Sequence, residues 1–151
     1  MHSFMEVSRV FPAGSKFILT TVDTVFRRDD FGRYVEAFEN APADVDGVMG
    51  VTTFIEDEKP LYVDVDADNR ITAFCDAPFD GVKYISAGIY GLTTPALDVL
   101  RHCIDTGVSR MRNYQRALVA AGIHLQAYDL GKVLDVDHAD DIAAARAFVA
   151  D

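Results

Sequence analysis

The chain has 151 residues, half of them hydrophobic and a quarter charged, enough for one globular core and too apolar for a disordered segment. The formal net charge of −10 argues against a general nucleic-acid surface, which needs a basic stripe. A phosphorylated small ligand would need a divalent cation or a local basic cluster. No apolar run reaches the roughly 18 residues of a membrane span, the segment 1–6 lacks the pattern of a signal peptide, and Cys75 and Cys103 form no motif, so a reduced cytoplasmic protein is the expectation.

Phe4, Val7 and Val10 recur at helical spacing and predict a helix over 2–10, closed by Pro12-Ala13-Gly14. The apolar run from Lys16 to Val22 reads as a buried strand that ends on Asp23. A carboxylate past a core strand sits at the rim or has a partner, because aspartates are almost never buried unpaired. Phe31, Tyr34, Val35 and Phe38 give one apolar face to a helix over 29–40, with Asp29 and Asp30 suiting its first turn. Residues 47–54 read as a second strand, so strand, helix and strand predict a βαβ unit with parallel pairing.

After the acidic Glu56-Asp57-Glu58-Lys59, residues 61–65 and 70–75 flank the turn-forming Asp66-Ala67-Asp68-Asn69, a hairpin pattern. Asp64, Asp66 and Asp68 alternate as in a calcium loop, but the required Gly and later Glu are missing. Residues 83–92 form a long strand with Gly88 inside it, which marks a bulge or a close backbone approach by a ligand. Thr94 caps and Pro95 starts a helix with Leu97, Leu100 and Ile104 inward; Gly107 ends it. Met111, Tyr114, Leu118 and Ala121 share a face of a helix over 110–121. Residues 123–128 and 132–136 read as strands, the second carrying Asp135. Asp137 caps a last helix with Asp140 and Asp141 in its first turn and Ile142, Ala145, Phe148 and Val149 inward.

Asp23 and Asp135 thus each follow an apolar strand core, and two carboxylates about one cation are a common arrangement for Mg²⁺ with a phosphorylated substrate. Spacing alone does not show that they meet. Arg110, Arg112 and Arg116 cluster on one helix, with Lys132 before the second aspartate, and either meet phosphates or form a solvated face. Lys83 is read the same way. His138 is better read as a helix-start residue than as a metal ligand. No Ser or Cys lies in a nucleophile motif, and no catalytic residue is assigned.

Four segments carry a resemblance. Leu19-Thr20-Thr21-Val22-Asp23 is similar to an apolar strand ending in Gly-Asp, with Val22 in place of the glycine. Ile71–Pro78 is similar to a strand followed by Glu-Lys-Pro, Ser86-Ala87-Gly88-Ile89-Tyr90 to Asn-Ala-Gly-Ile-Tyr, and Val133–Ile142 to Trp-Leu-Asp-Val-Gly-Thr-Pro-Glu-Asp-Leu. In this order, over residues 16–148, they resemble the sugar-phosphate nucleotidyltransferases, the nucleoside-diphosphate-sugar pyrophosphorylases.

The resemblance implies an α/β fold of the GT-A, nucleotidyltransferase-like type, a mixed sheet flanked by helices. It implies enzymes that join a nucleoside triphosphate to a sugar 1-phosphate or similar small phosphate and release pyrophosphate. Asp23 and Asp135 would be the Mg²⁺ ligands, Asp76 would contact the sugar, and Ala87 and Gly88 would line its pocket. The family's Gly-x-Gly-Thr-Arg-Leu loop and the Lys-Pro after it have no counterpart here, and Ala77 replaces the Lys of Glu-Lys-Pro. Residues 1–151 are therefore expected to be a single partial domain, truncated at its N-terminal half and not expected to catalyse the full reaction alone. Two rivals remain: a GT-A glycosyltransferase, which wants an Asp-x-Asp that Asp23-Thr24-Val25 lacks, and a non-catalytic remnant that binds a partner or forms a homodimer through exposed strand edges.

Overall fold

The computed structural model describes residues 1–54 and 59–150; the acidic Glu56-Asp57-Glu58 lies outside them. The elements are α1 (His2–Ser8), β1 (Lys16–Thr20), β2 (Thr24–Val25), α2 (Arg28–Glu39), β3 (Gly47–Thr52), β4 (Tyr62–Val65), β5 (Ile71–Cys75), β6 (Tyr84–Thr93), α3 (Pro95–Asp105), α4 (Met111–Ala120), β7 (Leu125–Asp129), β8 (Leu134–Asp135) and α5 (Asp141–Ala150). Six strands form a mixed sheet in the order β5-β4-β6-β3-β7, with β1 also paired to β6. The short β2 and β8 form a separate antiparallel ribbon.

β6 is the centre of the sheet. It runs antiparallel to β3 along one edge. Along the other edge, β4 takes its N-terminal end and β1 its C-terminal half, both antiparallel. β1 and β3 therefore run parallel, but they are not paired as the strand-helix-strand pattern suggested, because β6 lies between them; the parallel pair is β3 with β7. β1 is not a buried strand either. Phe17, Ile18 and Leu19 are half-buried, because no other described strand pairs its second edge.

The alternating side chains of the sheet feed two cores. One packs Met49, Val51, Val63, Phe74, Tyr90 and Leu92 with Phe4, Leu97, Leu100, Tyr114 and Leu118 of α1, α3 and α4. The other packs Val48, Ala87 and Ile89 with Tyr34 and Phe38 of α2 and with Leu130 and Val133. α2 lies very close to β6. A Cβ on Gly91 would stand 2.8 Å from the Tyr34 hydroxyl and 2.9 Å from the Phe38 ring, so this strand position needs glycine.

The β4–β5 hairpin forms as its pattern predicts, over a turn in which Asp66 Oδ1 accepts the N–H groups of Asp68 and Arg70. Helix ends differ more from expectation. The Thr94 side chain makes no capping bond. α5 begins at Asp141, not at Asp137, and Asp141 Oδ2 reaches back to accept the N–H groups of Asp137 and His138. Ala145 and Phe148 of α5 are buried, whereas Ile142 and Val149 are 45% and 55% exposed, so the inward stripe is narrower than predicted.

Three buried tyrosines make the fold alkali-sensitive. Burial raises the phenols of Tyr34 and Tyr114 well above the ordinary value, and pushes Tyr90 up to about 12. Between the ordinary value of about 10 and these raised values, the folded state binds more protons than the unfolded one. Their contribution to stability is therefore full below about pH 10 and is lost as pH rises through the raised values. Urea titrations at pH 9 and pH 11 are expected to show a lower midpoint at pH 11; equal midpoints would contradict this.

Candidate functional site

Asp23 does not end β1. β1 stops at Thr20, and Asp23 stands three residues on, in the bend that leads into β2. Asp135 ends β8. The two meet through the ribbon: Thr24 pairs with Asp135 and Val25 with Leu134, and the Val136 N–H donates to the Asp23 carbonyl at 2.9 Å. The ribbon is tied to the sheet at Gly88. The Thr21 N–H donates to the Gly88 carbonyl at 3.0 Å. The hydroxyls of Thr21 and Thr24 lie 2.6 Å apart, and Thr24 Oγ1 donates to Asp135 Oδ1 at 2.8 Å.

Gly88 has φ of +71°, and a Cβ there would stand 2.7 Å from both threonine hydroxyls. It sits where the β3–β6 register slips, between the pairs Met49–Tyr90 and Val51–Ser86. The interruption expected from a glycine inside a strand is present. The close approach at the Cβ position is by Thr21 and Thr24.

Asp23 and Asp135 line one pocket of about 260 Å³, with Thr21, Thr24, Ser86, Gly88, Tyr90 and Gln115. Lys59, Arg110, Met111 and Arg112 line the same pocket. Two carboxylates thus share a cavity with three cationic side chains. A second pocket of about 210 Å³ adjoins it, shares Ser86 and Asp135, and is lined by Phe54, Ala87, Val133, Leu134 and His138 among others. Gly88 therefore lines the first pocket and Ala87 the second.

Asp76 is among the lining residues of neither pocket. It is an exposed residue just past β5 whose carboxylate pairs with Arg112 at 2.6 Å and with Arg116 at 2.7 Å. Hydrogen bonds from Arg116 and Arg112 hold its carboxyl below the ordinary aspartate value. Arg112 also donates to the Lys59 carbonyl, and Arg116 Nε to that of Phe74. Asp76 therefore braces Arg112, a lining residue of the first pocket, and its neighbour Arg116. Val22, beside Asp23, is fully exposed.

Among the described residues no group of three or more His, Cys, Asp and Glu side chains is placed to hold a metal ion. Two carboxylates facing a cavity nevertheless suit Mg²⁺, which commonly takes one or two carboxylates and completes its shell with water and phosphate oxygens.

Thr21, Thr24, Lys59, Ser86, Tyr90 and Gln115 escaped the sequence reading. Gln115 had a visible signal: it lies one turn from Met111, a polar residue inside an otherwise apolar helix stripe.

This fold is that of the sugar-phosphate nucleotidyltransferases. Over 97% of its length the chain aligns with 60% of the inositol-1-phosphate CTP transferase from T. maritima, at 18% identity and a TM-score of 0.76. It matches CMP:2-keto-3-deoxy-manno-octonic acid synthetase, solved with CTP, over 97% of this chain and 66% of that one (18% identity, TM-score 0.71). All of the chain aligns with 61% of a protein provisionally designated a glucose-1-phosphate thymidylyltransferase, from Bacillus anthracis and in complex with a sucrose (15% identity, TM-score 0.78). The chain thus spans under two thirds of the length of each of these structures. No protein-family model matches the sequence, and no curated protein matches it. Among the described residues no helix is long and apolar enough to cross a membrane.

Proposed function

We propose that the chain belongs to a nucleotidyltransferase that joins a nucleoside triphosphate to a sugar 1-phosphate or similar small phosphate, with Mg²⁺ held by Asp23 and Asp135. The observation that carries this reading is the shared pocket, lined by two carboxylates and by Lys59, Arg110 and Arg112. In such a transfer a phosphate oxygen of the sugar attacks the α-phosphorus, and pyrophosphate leaves. Mg²⁺ would neutralise charge on the transferring phosphate. Thr24 fixes one Asp135 oxygen by its hydrogen bond, so the carboxylate is pre-oriented. Arg112, itself clamped by Asp76, would meet the phosphate together with Arg110 and Lys59. Positioning and charge neutralisation supply most of the catalysis in this type of chemistry.

Calorimetric titration of the chain with glucose 1-phosphate, myo-inositol 1-phosphate and CTP, each with and without MgCl₂, tests the reading. Mg²⁺-dependent binding is expected for a sugar phosphate or the nucleotide. Asp23→Ala and Asp135→Ala should each weaken it by about tenfold or more, as loss of a metal-site residue does. Binding indifferent to EDTA and to both substitutions would remove the metal assignment.

A further inference from the structure

We propose that Gln115 determines specificity in this pocket, its carboxamide N–H donating to a hydroxyl oxygen of the bound sugar or polyol phosphate; the inference rests on the proposed function. Gln115 sits in α4 and is only 3% exposed, one of two buried polar or charged residues among those described. Its Oε1 accepts from Ser86 Oγ at 3.0 Å, which leaves the two Nε2 hydrogens to account for. They have no acceptor among the described residues. Yet no described side-chain nitrogen or oxygen is both sealed from solvent and without a partner. Nε2 therefore keeps some exposure, and Gln115 is a lining residue of the pocket.

Fixed by Ser86 at its oxygen, the carboxamide keeps its Nε2 donors available. It makes sense as a preformed donor that a ligand completes. The ligand atom must be an acceptor. The charged parts of a phosphorylated ligand have better partners in Lys59, Arg110 and Arg112 in the same pocket. A neutral donor, steered by Ser86 from β6, is matched to a neutral oxygen. A site built to bond such an oxygen rejects ligands without it, because the buried group is then left unpaired.

The test compares binding of glucose 1-phosphate, myo-inositol 1-phosphate and inorganic phosphate, with MgCl₂, to wild type, Gln115→Leu and Gln115→Met. Expected is a loss of about tenfold for the sugar or polyol phosphate, near the value of one well-placed hydrogen bond, with inorganic phosphate unchanged. Equal affinities in all three proteins, or equal losses for phosphate and sugar phosphate, would overturn the assignment while leaving the proposed function standing. Failure of wild type to bind either organic phosphate would remove the proposed function and this inference with it. Should both variants misfold, the Gln115 side-chain amide resonances of wild type give the answer. They should shift on adding the organic phosphate and stay in place with inorganic phosphate; the absence of that difference counts against the proposal.

Discussion

Gly88→Ala is expected to cost about 2–4 kcal/mol of stability and to disorganise the carboxylate pair. Two penalties act at one position. An L side chain at φ of +71° loses roughly 1–2 kcal/mol from the left-handed backbone alone. The methyl group would also stand 2.7 Å from the hydroxyls of Thr21 and Thr24, an overpacking that typically costs about 1–3 kcal/mol. Relief comes most readily by pushing the threonines away, and Thr24 is the residue that orients Asp135. Equilibrium urea unfolding checks the stability loss. Calorimetry with Mg²⁺ and the sugar phosphates should show weaker binding than wild type even at temperatures where the variant is folded. A variant within about 0.5 kcal/mol of wild type, with unchanged binding, would mean that the β6–ribbon junction is more pliable than its geometry implies.

Tyr34→Ala should be more damaging, by about 3–5 kcal/mol, the range for removing a large buried ring. Tyr34 is fully buried on α2, and its ring neighbours Phe31 and Tyr128. It also fills the space left over Gly91, so its removal opens a cavity between the helix and the central strand. Tyr34→Phe separates the hydroxyl from the ring. That hydroxyl donates to the Val48 carbonyl at 2.7 Å, and its loss should cost about 1 kcal/mol. Total stabilities of single domains run near 5–15 kcal/mol, so the alanine variant would lose a large part of the whole. Similar losses for the two variants would place the effect in the hydrogen bond, against the packing argument.

Much of the fold is local enough to be written in the sequence. The stripe Phe31, Tyr34, Val35, Phe38 specifies α2 because a 3.6-residue period has one apolar face. Asp66–Asn69 specifies the β4–β5 turn because an aspartate can bond the backbone two and four residues on. Gly88 announced an interruption in β6, and the ordered segments around Asp23, Ser86 and Asp135 identified the fold that the solved structures share.

Tertiary structure decided the rest, because the forces involved act between residues far apart in the chain. Strand order is one case: nothing in the βαβ pattern says that β6, formed 32 positions or more after β3 ends, inserts between β1 and β3. Asp76 is another. Its position in the chain says nothing of the ion pairs its carboxylate makes with Arg112 and Arg116, one helical turn apart on α4. Sequence alone determined that Asp23 and Asp135 each stand beside an apolar strand. That they face one pocket follows from the β2–β8 ribbon, two residues long on each side and anchored on a glycine whose missing side chain leaves room for it.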